Sequence, residues 1–121
     1  MIGPGGLERL KSAAGAESAS KLDRAPTLVV CSCRLSGDAI QDEEDLHATA
    51  CAAYIVLLAA HARGLASYWR TPEVLRTVEG REAVGVGADE RFVGLLHLGR
   101  AVQEQAPPER APAAQVVEFL D

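Results

Sequence analysis

Cys31 and Cys33 are the two residues whose spacing most directly suggests chemistry. They stand two positions apart in the apolar run TLVVCSC, so on a strand both thiols would face the same side. Such a pair could bind a metal or form a redox couple. Because no second pair of Cys or His residues has the spacing of a zinc site, we expect both cysteines to pack in the core and to bind no metal.

The histidines and the longest acidic run are weaker chemical signals. His47, His61 and His97 are scattered along the chain, and each is interpreted as a helix-terminus or hydrogen-bonded core histidine. The acidic run Asp42–Asp45 is most simply a solvated helix start. The sequence contains no dinucleotide-binding fingerprint, P-loop or nucleophile elbow, so we assign no catalytic side chain.

Trp69, Arg70 and Thr71 form a more promising binding segment. They lie where a short strand is expected to run into a helix, with Thr71 as the N-cap and Pro72 at the first helical position. The free N–H groups and positive end of a helix suit the electron-rich edge of a ring. The alternative is a buried Trp, a surface Arg and an ordinary cap.

A long apolar segment must position these residues. From Ala48 to Ala60 every residue except Thr49 is apolar, which predicts a helix that is buried all round. The run falls short of the roughly 20 residues that a membrane span needs. Gly64 and Leu65 then have the pattern of a Schellman stop.

Strands and further helices are expected on both sides of this central helix. Their order predicts an α/β fold with crossover connections. The expected helices are Leu7–Lys21, the short Pro72–Thr77, a turn at Glu79–Val84 and a docked terminal helix at Pro112–Leu120, and the expected strands are Thr27–Cys33, Ala66–Trp69 and Arg91–Leu98.

Length and composition narrow the class of protein. A chain of 121 residues fits a single domain, residues 1–121. The net charge of −5 and the absence of a Lys/Arg cluster argue against a nucleic-acid partner. Three cysteines and an N-terminus without a signal-peptide pattern favour a cytoplasmic location with no membrane association.

Two segments together resemble the nitroreductase family of FMN-dependent oxidoreductases. They are LLAAHARGLASYWRTPEVL and, further along, RFVGLLHLGR. The resemblance implies an α/β (α+β) three-layer sandwich, with a short mixed sheet around a buried Ala-rich central helix. Family members usually carry a further N-terminal segment that grips the FMN phosphate, so the resemblance also implies an N-terminally truncated version of the fold.

The resemblance also implies a cofactor site and a function. Trp69, Arg70 and Thr71 would border the flavin ring, while Gly99 and Arg100 would lie near the FMN phosphate. Hydride would pass from NAD(P)H through FMN to a quinone-like or nitroaromatic acceptor. Because the N-terminal segment is missing, and Ile55 and Val56 replace the Gln-Asn pair of the family's central helix, the FMN site is expected to be weak or partial.

Partners and alternatives follow from the same features. We expect a homodimer, or a partner chain that supplies the missing N-terminal half. The alternatives are a non-catalytic flavin-binding or dimeric interaction protein, and one half of a split nitroreductase.

Overall fold

A computed structural model describes residues 1–120 as three layers around a small sheet. The strands are β1 Thr27–Arg34, β2 Ala66–Arg70 and β3 Glu90–Gly99. They lie in the order β1-β3-β2. The expected α/β architecture is confirmed, but the expected mixed sheet is wrong, because β3 pairs antiparallel with both neighbours in the part of the chain described. The last strand is inserted between the first two, which run in the same direction.

Helix α1, Pro4–Ala19, belongs to the layer on one face of the sheet. Its backbone breaks at Gly15, whose positive φ of 71° is the left-handed conformation that glycine tolerates. A 3₁₀ helix, Ser20–Arg24, follows. The residues that bury this layer against the sheet are all apolar: Leu10, Leu22, Leu28, Val74, Leu75, Ala83 and Leu95.

Helix α2, Ala39–His61, covers the opposite face and contacts all three strands. It begins before the acidic run, because Asp38 caps it by accepting hydrogen bonds from the N–H groups of Ile40 and Gln41. Asp42 instead accepts hydrogen bonds from the N–H and hydroxyl of Ser36, which lower the pKa of its carboxyl. One residue of the acidic run, Asp42, therefore binds the loop that precedes α2.

The C-terminus of α2 has the predicted Schellman stop. Gly64 has a φ of 71°. The N–H of Leu65 donates to the carbonyl of Ala60 at 3.0 Å, and the N–H of Gly64 donates to that of His61 at 2.9 Å.

The prediction that α2 is buried all round is wrong within a single chain. Ala53 and Ala60 face the sheet and are buried. The opposite side exposes Cys51, Tyr54, Ile55 and Leu58, which follow the helical spacing i, i+3, i+4, i+7 and are called the α2 stripe. Apolar composition on every side reflects one face that packs on the sheet and one that has no partner among residues 1–120.

The segment after β2 differs from the prediction. Thr71 does not cap a helix: a 3₁₀ helix begins at Glu73 and extends to Arg76. The real cap is Thr77, whose hydroxyl accepts from the N–H of Gly80 at 3.1 Å at the start of α3, Val78–Ala83. An N-cap needs its side chain beside free N–H groups, and the Pro72 geometry carries Thr71 away from them.

The predicted terminal helix at Pro112–Leu120 is also wrong in the described residues. Only one 3₁₀ turn, Ala113–Gln115, forms. Val116, Val117, Phe119 and Leu120 are exposed rather than docked. Asp121 lies outside the described residues.

The cysteines of β1 were expected to pack in the core, and one of the two does so fully. Cys33 is buried and Cys31 half-buried, and both are free thiols. Burial raises the pKa of the Cys31 thiol, which disfavours the reactive thiolate. Within residues 1–120, no three His, Cys, Asp or Glu side chains are grouped as metal ligands. A search of the same residues finds no helix of the length and apolarity needed to cross a membrane.

Among the glycines of the α1 layer, Gly80 packs most tightly, against the backbone of Val74. A Cβ at this position would overlap the carbonyl group of Val74. We expect Gly80→Ala to lower the free energy of unfolding by about 1–3 kcal/mol, because backbone must move to admit the methyl group. Urea denaturation measures this difference.

Gly5→Ala is the matched control. A Cβ on Gly5, in the first turn of α1, would meet its nearest atom, Arg9 Nη1, at 3.6 Å, an ordinary contact. Its effect should be neutral or stabilising by up to about 1 kcal/mol, since Ala loses less entropy than Gly in a helix. An unchanged midpoint for Gly80→Ala would contradict the packing described.

Candidate functional site

The two faces of β2 separate the predicted site residues. Trp69 points towards the α2 side, where its Nε1 donates to the carbonyl of Val93 at 3.4 Å. It lies across Gly94, where a Cβ would overlap the indole ring. Arg70 points to the other side, because successive residues of a strand alternate. Trp69 therefore anchors β2 on β3, and Arg70 is available to a ligand.

Thr71, Gly99 and Arg100 have different surroundings. Thr71 is exposed, and its hydroxyl accepts from Arg76 Nη2 at 3.5 Å. Gly99 pairs with Ala66 at the end of β3. A Cβ on Gly99 would lie 2.7 Å from Pro26 Cδ, so the packing of Pro26 already requires a glycine here. Arg100 follows at the end of the strand and is exposed.

Three arginines meet along an open groove of about 870 Å³ beside the edge of β2. Arg24 comes from the first 3₁₀ helix, Arg70 from β2, and Arg100 from the end of β3. The volume lies within the range of roughly 300–1,000 Å³ that is typical of ligand sites. We call this region the arginine groove.

The groove concentrates positive charge in a chain with a net charge of −5. Within residues 1–120, Arg34 is the single arginine in an ion pair, so none of the three groove arginines is paired with a carboxylate, and Glu104 is the acidic residue in the groove lining. The guanidinium of Arg70 lies over the ring of Tyr68, 5.8 Å from its centroid, which helps to hold it in place. Unneutralised guanidinium groups suit phosphate, which they bind by charge-assisted hydrogen bonds.

His97 forms part of the wall of the groove. It is 6% exposed and is the buried polar residue of the core. Burial is the main cause that lowers the pKa of its imidazole, and the positive charges of Arg70 and Arg24 lower it further. The imidazole is therefore neutral near pH 7.

The structure brings together three of the five predicted residues: Arg70, Gly99 and Arg100. It adds Arg24, Tyr68 and His97, which sequence reasoning did not place in the site. His97 had a detectable signal, since it interrupts the apolar run of β3 opposite Leu28 and Tyr68. Arg24 gave no such signal in the sequence, because the segment before Pro26 has no periodic pattern from which its position could be predicted.

The fold is similar to those of several solved nitroreductase-like proteins. A nitroreductase-like family protein from Bacillus cereus aligns with a TM-score of 0.80 and 22% identity, over 98% of this chain and 70% of that protein. An FMN-dependent nitroreductase from Clostridium difficile aligns with a TM-score of 0.67 and 18% identity, over 94% of this chain and 68% of that one.

A third similar structure is a variant of NfnB, an FMN and NADPH-dependent nitroreductase from Sphigopyxis sp. strain HMH. It aligns with a TM-score of 0.60 and 18% identity, over 94% of this chain and 56% of that protein. No protein-family model and no curated protein matches the sequence. The chain has the nitroreductase-like fold, which confirms the fold expected from the resemblance.

The neutral His97 predicts a specific pH dependence of stability. Its pKa is lower in the folded than in the unfolded chain, so the unfolded chain takes up the proton first as pH falls. Stability should therefore decline as pH drops below the ordinary histidine pKa of about 6.5, until the lowered pKa is passed. Denaturation midpoints measured across this range test the sign.

Two variants isolate the contribution of His97. His97→Gln should flatten the pH dependence, because glutamine does not titrate. His47→Gln, on the exposed surface of α2, should retain it. Equal slopes for the wild type and His97→Gln would show that another group causes the decline.

Proposed function

We propose that the protein is an FMN-dependent oxidoreductase of the nitroreductase type. The observation that carries this proposal is the arginine groove, located beside β2 on a nitroreductase-like fold. Two of the structurally similar proteins are described as FMN-dependent, and one of these also as NADPH-dependent. The groove offers the charge that the phosphate of such a cofactor needs.

The chain's own residues would act mainly by binding. Arg24, Arg70 and Arg100 would hold the FMN phosphate, and the end of β2 from Trp69 to Thr71 would border the isoalloxazine ring. Trp69 would position this strand end through its contact with Gly94 rather than stack on the ring. Gly99 would contribute by letting Pro26 pack closely, which sets the direction in which the chain leaves β3.

The flavin would supply the redox chemistry when bound. NAD(P)H would be the electron donor and a quinone-like or nitroaromatic compound the acceptor. His97 would remain neutral, so it would not add a fourth positive charge close to Arg70 at neutral pH. No protein nucleophile is required.

The expected affinity for FMN is weak. The groove is open to solvent on one side, so phosphate contacts there are screened. We expect a Kd that is micromolar or larger, about −8 kcal/mol or weaker. Titration of the purified protein with FMN, followed by flavin fluorescence, measures this value.

Riboflavin provides the discriminating comparison, because it lacks the phosphate. Arg24→Gln should weaken FMN binding by about tenfold, the loss of one charge-assisted hydrogen bond, and leave riboflavin binding unchanged. Arg91→Gln, on an exposed part of β3 outside the groove, is the control. Equal effects of Arg24→Gln on FMN and riboflavin affinity would show that the groove does not bind the FMN phosphate. FMN binding without NAD(P)H oxidation would favour a non-catalytic flavin protein.

We also propose that the α2 stripe packs against the same stripe of a second copy. A two-fold interface joins one surface patch to itself, which an apolar helix face with small neighbouring alanines permits. Ile55 and Tyr54 are 62% and 56% exposed in the single chain, an unfavourable arrangement for large apolar side chains in water. A separate chain that completes the fold is the alternative occupant.

Charge substitution tests the proposed dimer. Ile55→Asp should dissociate the protein by placing two carboxylates in an apolar interface, and sedimentation velocity would report monomers. Val78→Asp, an equally exposed apolar position on α3, should leave the association unchanged. A wild-type protein that sediments as a monomer at micromolar concentration would overturn the proposal.

A further inference from the structure

A second cavity lies on the α1 side of the sheet, separate from the opening of the arginine groove. Its volume is about 370 Å³, near the lower end of the range for small-molecule sites. The C-terminal half of α1, both 3₁₀ helices at Ser20–Arg24 and Glu73–Arg76, and the side chains of Arg70 and His97 enclose it. This α1 cavity shares only Arg70 and His97 with the groove.

The charges that face the α1 cavity do not balance. Lys21 and Arg70 are positive, and Glu73 is the acidic residue in its lining. Among the described residues neither Lys21 nor Arg70 forms an ion pair, with Glu73 or with any other carboxylate. Two partly buried cations that face one carboxylate leave a net positive charge, which favours a negatively charged ligand.

His97 also faces the α1 cavity. The residue is 6% exposed, and none of the side-chain hydrogen bonds within residues 1–120 involves its ring nitrogens. No buried side-chain nitrogen or oxygen in these residues lacks a partner, so the ring nitrogens are open to the solvent of the cavity or of the adjoining groove. A ligand oxygen in the cavity can therefore accept a hydrogen bond from the ring.

The rest of the lining is mixed. The apolar side chains of Ala13, Ala14, Leu22, Pro72 and Val74 lie beside the hydroxyl-bearing Ser18 and Thr77. Apolar surface of this kind gains free energy when it covers an apolar ligand body. The lining therefore matches a small molecule with one anionic end and one apolar end.

We propose that the α1 cavity binds a small organic carboxylate, with Lys21 and Arg70 at its carboxylate and His97 as a hydrogen-bond donor. The apolar body of the ligand lies against α1. Lys21 lies outside the arginine groove, whereas Arg70 lines both regions, so benzoate binding is measured in the absence of FMN.

Binding at this site is coupled to protonation of His97. The groups that face His97 are Lys21 and Arg24 from the first 3₁₀ helix, Tyr68 and Arg70 from β2, Glu73 from the second 3₁₀ helix, and His61, Arg100 and Glu104 across the groove. A bound carboxylate offsets the positive charges among them and raises the pKa of His97. The protein then takes up a proton with the ligand, so affinity rises as pH falls below the ordinary histidine pKa of about 6.5.

Benzoate is a suitable probe, since it stays ionised around this pH. Nuclear magnetic resonance titration of the isotope-labelled full chain should show saturable shifts at Ala13, Ala14 and the His97 ring. Lys21→Gln should weaken benzoate binding about tenfold. His97→Gln should remove the pH dependence of the affinity, and benzyl alcohol, which has the ring without the charge, should bind far more weakly.

Arg100→Gln separates this site from the proposed FMN site. Arg100 lines only the groove, so its replacement should weaken FMN binding and leave benzoate binding unchanged. Benzoate affinity that is insensitive to Lys21→Gln would overturn the proposal, as would shifts confined to the groove. Phosphate that binds as tightly as benzoate in the α1 cavity would contradict the assigned organic class of ligand.

Discussion

The structure depends on the burial of the central strand β3 from both sides. Leu95 and Leu96 are both fully buried although they point to opposite faces. One face must therefore be covered by the α1 layer and the other by α2, which gives the three layers. The chain satisfies this constraint by inserting its last strand between the first two, so that β3 hydrogen-bonds along both edges.

This arrangement also brings the charged residues together. β2 and β3 are antiparallel, so their C-terminal ends lie at opposite ends of the pairing. Arg70 pairs with Leu95 at one end, and Arg100 follows Gly99 at the other. The long Arg70 side chain, held over Tyr68, reaches the same groove as Arg100. Arg24 enters from the segment that precedes β1. Three guanidinium groups that are distant in sequence thus form one positive surface on an acidic protein.

His97 connects this groove to the α1 cavity. It occupies a position of β3 where an apolar residue would satisfy the core, and its neutral state depends on burial and on the adjacent arginines. A neutral imidazole between cations can change protonation when an anion arrives, whereas a leucine could not. In the proposed ligand binding, this single polar position gives the sheet a chemical role in addition to its structural one.

The sequence by itself determined the existence and type of most elements. The β-branched and apolar runs of β1 and β3, the glycine stop at Gly64 and the Ala-rich pattern of α2 are local features, and local backbone preferences decide them. They also carried the resemblance that identified the fold. The position of the 3₁₀ helix Glu73–Arg76 and the failure of Thr71 as a cap were not predictable, because they depend on the exact direction of the chain after β2.

Only the tertiary structure decided which residues meet. Strand order placed β3 in the centre, and pleat alternation then sent Trp69 to one face and Arg70 to the other, which divided a segment that the sequence presented as one site. Tertiary contacts also decided that α2 is buried on one side and bare on the other, since apolar composition cannot state whether a partner lies within the chain. The arginine groove has the same origin: Arg24, Arg70 and Arg100 are far apart along the chain, and only the pairing of the strands brings their charges together.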